Sequence, residues 1–214
     1  MKVVVLGSGS YSGTPKPPLC TCENCSRARI NPALRRTRFS LYIGGDGILV
    51  DPSPDLHYHL ERLNKRIEKV FITHAHFDHI AGFPELQVFK EIDVYSHRQA
   101  VEMARHLSAI FLGGAAPPEN RDWRYHELEF GKWYKIEGMR VYHFRTVHQP
   151  IENSGGFVFE INGRRIAITG GDTGPEILQD GGETLKLIEG ADLLIAEMTH
   201  RESIPRVHLA LMTP

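Results

Sequence analysis

The chain has 214 residues, a length that suits one large domain or two small ones, and its 25 basic and 26 acidic side chains leave a formal charge of −1. Without a basic excess it is no strongly basic nucleic-acid-binding module, although a local basic patch stays open. Apolar residues at 41% and charged residues at 24% make an ordinary globular composition and exclude a disordered chain. Residues 3–6 form a β-branched and aliphatic run ending in Gly7-Ser8-Gly9-Ser10, a strand entering a turn rather than a signal peptide. Cys20, Cys22 and Cys25 follow; three cysteines this crowded build no disulfide framework and point to chemistry or metal binding. Strands over 39–43 and 48–50 flank Gly44-Gly45-Asp46-Gly47, whose tolerance of positive φ predicts a hairpin. A helix over 55–63, a strand over 70–73, a helix over 83–90, a strand over 94–96 and a helix over 98–107 come next. Residues 113–120, rich in Gly, Ala and Pro, read as a mobile surface loop. Strands are expected over 133–136, 140–145, 156–161 and 165–169, with Asn162-Gly163 as a second hairpin turn, then a helix over 183–188 and a strand over 193–196.

Strands outnumber helices and many are joined by hairpins, which predicts antiparallel-rich sheets with helices packed outside rather than a doubly wound nucleotide-binding fold. No linker marks a domain boundary, so a single domain over 1–214 is expected. No apolar run approaches the ~18 to 20 residues of a transmembrane helix, and the expected setting is soluble and cytoplasmic.

Twelve histidines are the other oddity, and their placement matters more than their number. The densest chemistry is Thr73-His74-Ala75-His76-Phe77-Asp78-His79-Ile80, directly after an apolar strand. Four donors within six residues surround a metal only if the backbone turns sharply, as a strand-to-helix loop does. Imidazole and carboxylate suit zinc and comparable divalent ions, and the pattern is far narrower than a lone histidine in an exposed polar loop. One cluster cannot close two metal sites. His148 and Asp172, each just past a strand, are the further candidates, although either alone would more often be a cap or turn residue. The three cysteines supply three of the four tetrahedral positions of a zinc site; a single catalytic thiol is the weaker alternative.

In this order His74-x-His76-x-Asp78-His79, His148 and Asp172 resemble the dinuclear-site motifs of the metallo-β-lactamase superfamily, along the whole chain. The resemblance implies an α/β fold, a four-layer αββα metallo-β-lactamase-like sandwich whose mixed sheets are rich in antiparallel pairs. It implies that His74, His76 and His148 hold a first metal and Asp78 and His79 a second, with Asp172 bridging the two. Asp51 stands at the family's early acidic position, which implies support of the ligands; a simple turn residue is the alternative. Gly7-x-Gly9, Gly13-x-Pro15 and Cys20-x-Cys22-x-x-Cys25 are similar to the start of the PhnP-like cyclic phosphodiesterase branch, where three thiolates hold a structural zinc. Glu197 and His208 occupy the places of the acid-held proton donor in the phosphodiesterase and transfer-RNA 3′-processing branches. A surface helix residue is the bland reading of His208. The implied activity is that of an enzyme, a metal-dependent hydrolase in which two divalent ions, zinc or manganese, present a hydroxide to small cyclic phosphodiesters. Asp78, His208 and Glu197 form its expected catalytic set.

One departure stands out. The family carries one more histidine on the second metal, in a strand beyond a helix, and the PhnP-like branch takes the fourth zinc ligand just after it; this chain stops at Pro214. The expectation is a domain short of its C-terminal helix and strand, because residues 209–214 read as the start of a helix. His200 as a substitute ligand and a protein with a single metal are the alternatives. Among rival functions, an RNA 3′-processing nuclease of the tRNase Z type is disfavoured because only 24 residues separate His148 from Asp172, too few for a protruding RNA-clamping arm. Thioester or lactone hydrolysis, and a non-catalytic metal-binding or carrier protein related to redox-cofactor synthesis proteins, complete the set. The expected partner is a small-molecule phosphodiester substrate; a membrane is excluded, nucleic acid is disfavoured, and a homodimer is left open.

Overall fold

The computed structural model describes residues 1–45, 47–111, 113–114, 121–170 and 182–198. They form two compact units, the first comprising Met1–Ile72, His76–Tyr95 and Glu102–Tyr125. Its scaffold is a sheet in the order β1 (Lys2–Gly7), β2 (Ser40–Gly44), β3 (Ile48–Val50), β4 (Lys69–Phe71), β5 (Glu91–Ser96) and β6 (Asp122–Glu127). β1–β2 and β2–β3 pair antiparallel, whereas β3–β4 and β4–β5 pair parallel. The β2–β3 hairpin closes between Ile43 and Ile48, with Gly45 and Gly47 at φ +101° and +60° where other residues would be strained. β3 and β4 are buried at every position, Lys69 of β4 included, as is usual for parallel strands inside a sheet. The helices α1 (Glu23–Ile30), α2 (Leu56–Leu63), α3 (Phe77–Ile80) and α4 (Arg98–Phe111) complete the series up to β6.

Five elements depart from the sequence reading, two of them short: α3 and a 3₁₀ helix over Pro32–Leu34, neither of which was expected. Residues 83–90 form no α-helix; Phe83–Val88 is a 3₁₀ helix with Pro84 at its start. Its buried residues, Phe83 and Leu86, are three apart, a spacing that puts both on one side of a helix with three residues per turn. Neither α1 nor β6 was expected. α1 buries only Cys25 and Ala28 and so shows no apolar stripe. In β6 the half-buried Trp123 and Tyr125 pack against Phe83, with ring centroids 5.6 and 6.4 Å away, and charged residues hide the alternation. Of the expected loop over 113–120, Gly113 and Gly114 are described, at φ +66° and +82°, and the rest lies outside the described residues.

The second unit comprises Thr73–Ala75, Ser96–Val101 and His126–Pro214. Its sheet runs β11 (Leu193–Ile195), β10 (Arg164–Ile168), β9 (Gly155–Ile161), β8 (Met139–Arg145) and β7 (Lys132–Ile136). β7 to β10 form an antiparallel meander and β11 joins β10 in parallel. Asn162 and Gly163, at φ +51° and +72°, make the expected β9–β10 turn. Tyr142, Phe144, Val158 and Ala167 form a core with Ile188 of α5 (Glu183–Glu189). By the two-residue period of a strand, His143 and Phe157 take the opposite face from Phe144 and Val158, and their rings stack 4.7 Å apart. No helix among the described residues is long and apolar enough to cross a membrane.

Candidate metal centre

Parallel pairing places the ends of β3 and β4 side by side, so Asp51 and the His74–His79 loop leave the sheet together. The Asp51 N–H donates to the Phe71 carbonyl at 2.9 Å, and its φ of +56° turns the chain back, a conformation that aspartate tolerates better than most residues. Its buried Oδ2 accepts a hydrogen bond from His79 Nδ1 at 2.8 Å. The other ring nitrogen, Nε2, faces Asp78 Oδ2 at 3.3 Å. Burial works against charge on His79, but the Asp51 and Asp78 carboxylates outweigh it and push its pKa up to about 10. For Asp78, burial pushes upward and the His79 contacts overcome it, holding the carboxyl below its usual range. Burial drives the His76 pKa below its ordinary value. Two buried carboxylates around a neutral or protonated imidazole make a place that favours a cation, and Nδ1 bound to Asp51 presents Nε2 as the ligand atom.

A second group of donors lies around His74. Its Nδ1 is hydrogen-bonded to the Thr73 hydroxyl at 3.0 Å, and its ring meets that of His148 edge-on at 5.1 Å. His74, His76 and His148 each offer a ring nitrogen, and the three atoms lie within 4.8 Å of one another. His148 is held by the loop that closes between β8 and β9, where Thr146 donates to Ser154 through both its N–H (2.9 Å, to the carbonyl) and its hydroxyl (2.7 Å). Gly155 N–H then donates to the Thr73 carbonyl at 3.0 Å, tying the start of β9 to the histidine loop. Thr73 and the Thr146–Ser154 pair were not read as site residues; their only signal in the sequence is adjacency to His74 and His148. A Cβ at Gly170, whose φ is +93°, would stand 3.3 Å from Thr73 Cβ, so the chain passes Thr73 two residues before Asp172. Asp172 itself, His200 and His208 lie outside the described residues. Glu197 is buried, and its N–H donates to Thr169 Oγ1 at 3.2 Å.

Cys20, Cys22 and Cys25 come together at the start of α1, with sulfur atoms within 4.8 Å of one another. The Cys25 backbone N–H lowers the Cys22 thiol pKa. Cys25 Sγ accepts from the Lys16 N–H at 3.2 Å, which works to lower its own pKa, but the neighbouring thiols and burial raise it. Backbone donors aimed at sulfur at a helix start suit thiolates, and three sulfurs this close are a donor set for zinc.

A family model described as a Beta-lactamase superfamily domain matches residues 47–214. The chain belongs to the metallo-β-lactamase superfamily. The two mixed sheets and five α-helices of the described residues have the metallo-β-lactamase fold. Coenzyme PQQ synthesis protein B of Methylobacterium radiotolerans is 26% identical over 200 residues, covering 78% of this chain and 64% of that protein. An octanoyltransferase of Porphyromonas gingivalis is 33% identical over 125 residues, 55% of this chain, and the match spans 25% of its length. The chain therefore spans less than two thirds of these curated relatives. Among solved structures, a diphosphatase from the PhnP family superposes with a TM-score of 0.73 at 19% identity, over 96% of this chain and 76% of that one. The human tRNase Z short form gives 0.67 at 25% identity, over 92% and 78%.

Proposed function

We propose that this chain is a metal-dependent hydrolase of phosphodiester bonds, with small cyclic phosphates as the first substrate class to test. The observation that carries the reading is the convergence of His74, His76 and His148 to within 4.8 Å. These three residues would hold one divalent ion, zinc or manganese, and Asp78 and His79 a second, with Asp172 shared between the two. Cys20, Cys22 and Cys25 would hold a structural zinc. Bound in such a site, a metal pair polarises a phosphoryl group and lowers the pKa of a coordinated water. Asp51 keeps the His79 N–H engaged, so that the ring enters the site in one tautomer and one orientation. Glu197 is buried after β11; its role in this reading would be to hold His208 as the proton donor to the leaving-group oxygen. The likeness to the human tRNase Z short form supports phosphoester chemistry. A cytoplasmic setting suits three free thiols.

The match to a PQQ synthesis protein over 78% of the chain favours a second reading, a metal-binding protein without turnover. Hydrolysis of bis-para-nitrophenyl phosphate and of a 2′,3′-cyclic nucleotide, assayed beside metal content per chain, separates the two. Turnover in the wild type and its loss in Asp78→Ala, with unchanged circular dichroism, supports the hydrolase. Full metal occupancy without turnover of either diester overturns it.

A further inference from the structure

Some arginines are neutralised, Arg38 by Asp55 at 2.8 Å and Arg124 by Asp93 at 2.7 Å. Arg145 is among those that are not. Among the described residues its guanidinium has no carboxylate partner, yet it is not loose. Nε and Nη2 both donate to the Glu152 carbonyl, at 3.3 and 2.8 Å, and the guanidinium carbon lies 5.9 Å from the centre of the Phe130 ring. Phe130 is itself fixed, stacked on His97 at 4.9 Å and tilted against His143 at 4.5 Å. An exposed arginine ordinarily has much rotamer freedom to lose on binding an anion; one already oriented by a carbonyl and a ring has less. Its unused nitrogen, Nη1, keeps its donors.

The position of this charge gives it a use. Arg145 closes β8 and pairs with Gly155 of β9, whose N–H is bonded to the Thr73 carbonyl. Thr73 holds His74, and His148 comes three residues after Arg145. The cation therefore stands at the strand end that leads to His148 and that is tied, through Gly155, to Thr73 beside His74. We infer that Arg145 is an anion-binding residue of the site, its Nη1 edge taking a non-bridging oxygen of a phosphate group and so favouring anionic diesters over neutral esters. The inference rests on the proposed phosphodiesterase reading for its substrate class.

Isothermal titration of inorganic phosphate into wild type and Arg145→Gln, at equal metal content, tests it directly. The expected result is a dissociation constant about tenfold higher in the variant, the worth of one charge-assisted hydrogen bond. For bis-para-nitrophenyl phosphate, KM should rise to a similar degree while kcat stays within about twofold, and cleavage of the neutral para-nitrophenyl acetate should be unchanged. Equal phosphate affinity in the two proteins overturns the inference. If Arg145→Gln misfolds, Arg145→Ala, truncated at an exposed strand end, takes its place with the same criterion. A wild type that binds phosphate through Arg145 but hydrolyses no diester sinks the functional reading alone; one that hydrolyses diesters with KM and affinity unmoved in the variant sinks the Arg145 inference alone.

Discussion

His79 and His143 are both buried, and their surroundings drive them in opposite directions. Two carboxylates push His79 up to about 10, whereas burial, helped by the neighbouring His97, pushes His143 down to about 3. Neither ring nitrogen of His143 has a hydrogen-bond partner among the described residues. For His79 the decisive contact is Asp51. Asp51→Asn keeps a residue that tolerates positive φ but removes the charge, so metal affinity measured by chelator competition should fall by about 10 to 100-fold; unchanged affinity contradicts the orienting role. For His143 the consequence is acid sensitivity. Its folded pKa lies below the unfolded value of about 6.5, so as pH falls below 6.5 the unfolded chain takes up a proton that the folded chain refuses until about pH 3. Stability is lost through that window by up to about 1.4 kcal/mol per pH unit for this one group. His59, depressed by burial to about 4, adds a second such loss. His143→Phe, which keeps a ring in the stack, should remove the first, so that its unfolding free energy in urea falls less between pH 7 and pH 5 by about 2 kcal/mol. An equal fall in both proteins contradicts the assignment.

At the scale of elements, the legible parts are those whose sequence pattern matches their burial. β3 is an uninterrupted apolar run, β4 is apolar after Lys69, and both hairpins announce themselves by residues that accept positive φ. The histidine loop is equally legible, because four donors stand within six residues. What stays hidden is whatever long-range pairing assembles. Asp51 meets His79 only because β3 and β4 pair in parallel, and Phe130 meets Arg145 and His97 only across separate segments. α1 is hidden for another reason: with two buried residues it has little to hold it except its cysteines. Cys25→Ser should therefore lower metal content by one zinc per chain and raise amide exchange throughout α1; full zinc content with α1 still protected contradicts the zinc site. Close backbone packing beside the site is also unforgiving. A Cβ at Gly82, just after α3, would stand 1.9 Å from the Ser53 carbonyl oxygen, so Gly82→Ala must displace the segment that follows Asp51. The expected loss is more than about 2 kcal/mol in urea unfolding, and a loss below about 0.5 kcal/mol would show that the segment yields freely.

Across the whole molecule, charge is nearly balanced, so on the proposed function attraction to an anionic substrate would come from local groups, bound cations and Arg145, rather than from a general field. The second unit illustrates the arrangement, with one sheet face packed on α5 and the other carrying the ring stack that ends at Arg145. The central claim is that the converging histidines hold a metal on which phosphodiester hydrolysis depends. The most direct test strips the purified protein with a chelator, restores zinc or manganese in steps, and follows bis-para-nitrophenyl phosphate hydrolysis in wild type and His148→Ala. The account predicts no turnover in the stripped protein, recovery in proportion to bound metal in the wild type, and neither full binding nor recovery in His148→Ala. Turnover that survives stripping, or full metal loading that brings none, would contradict it.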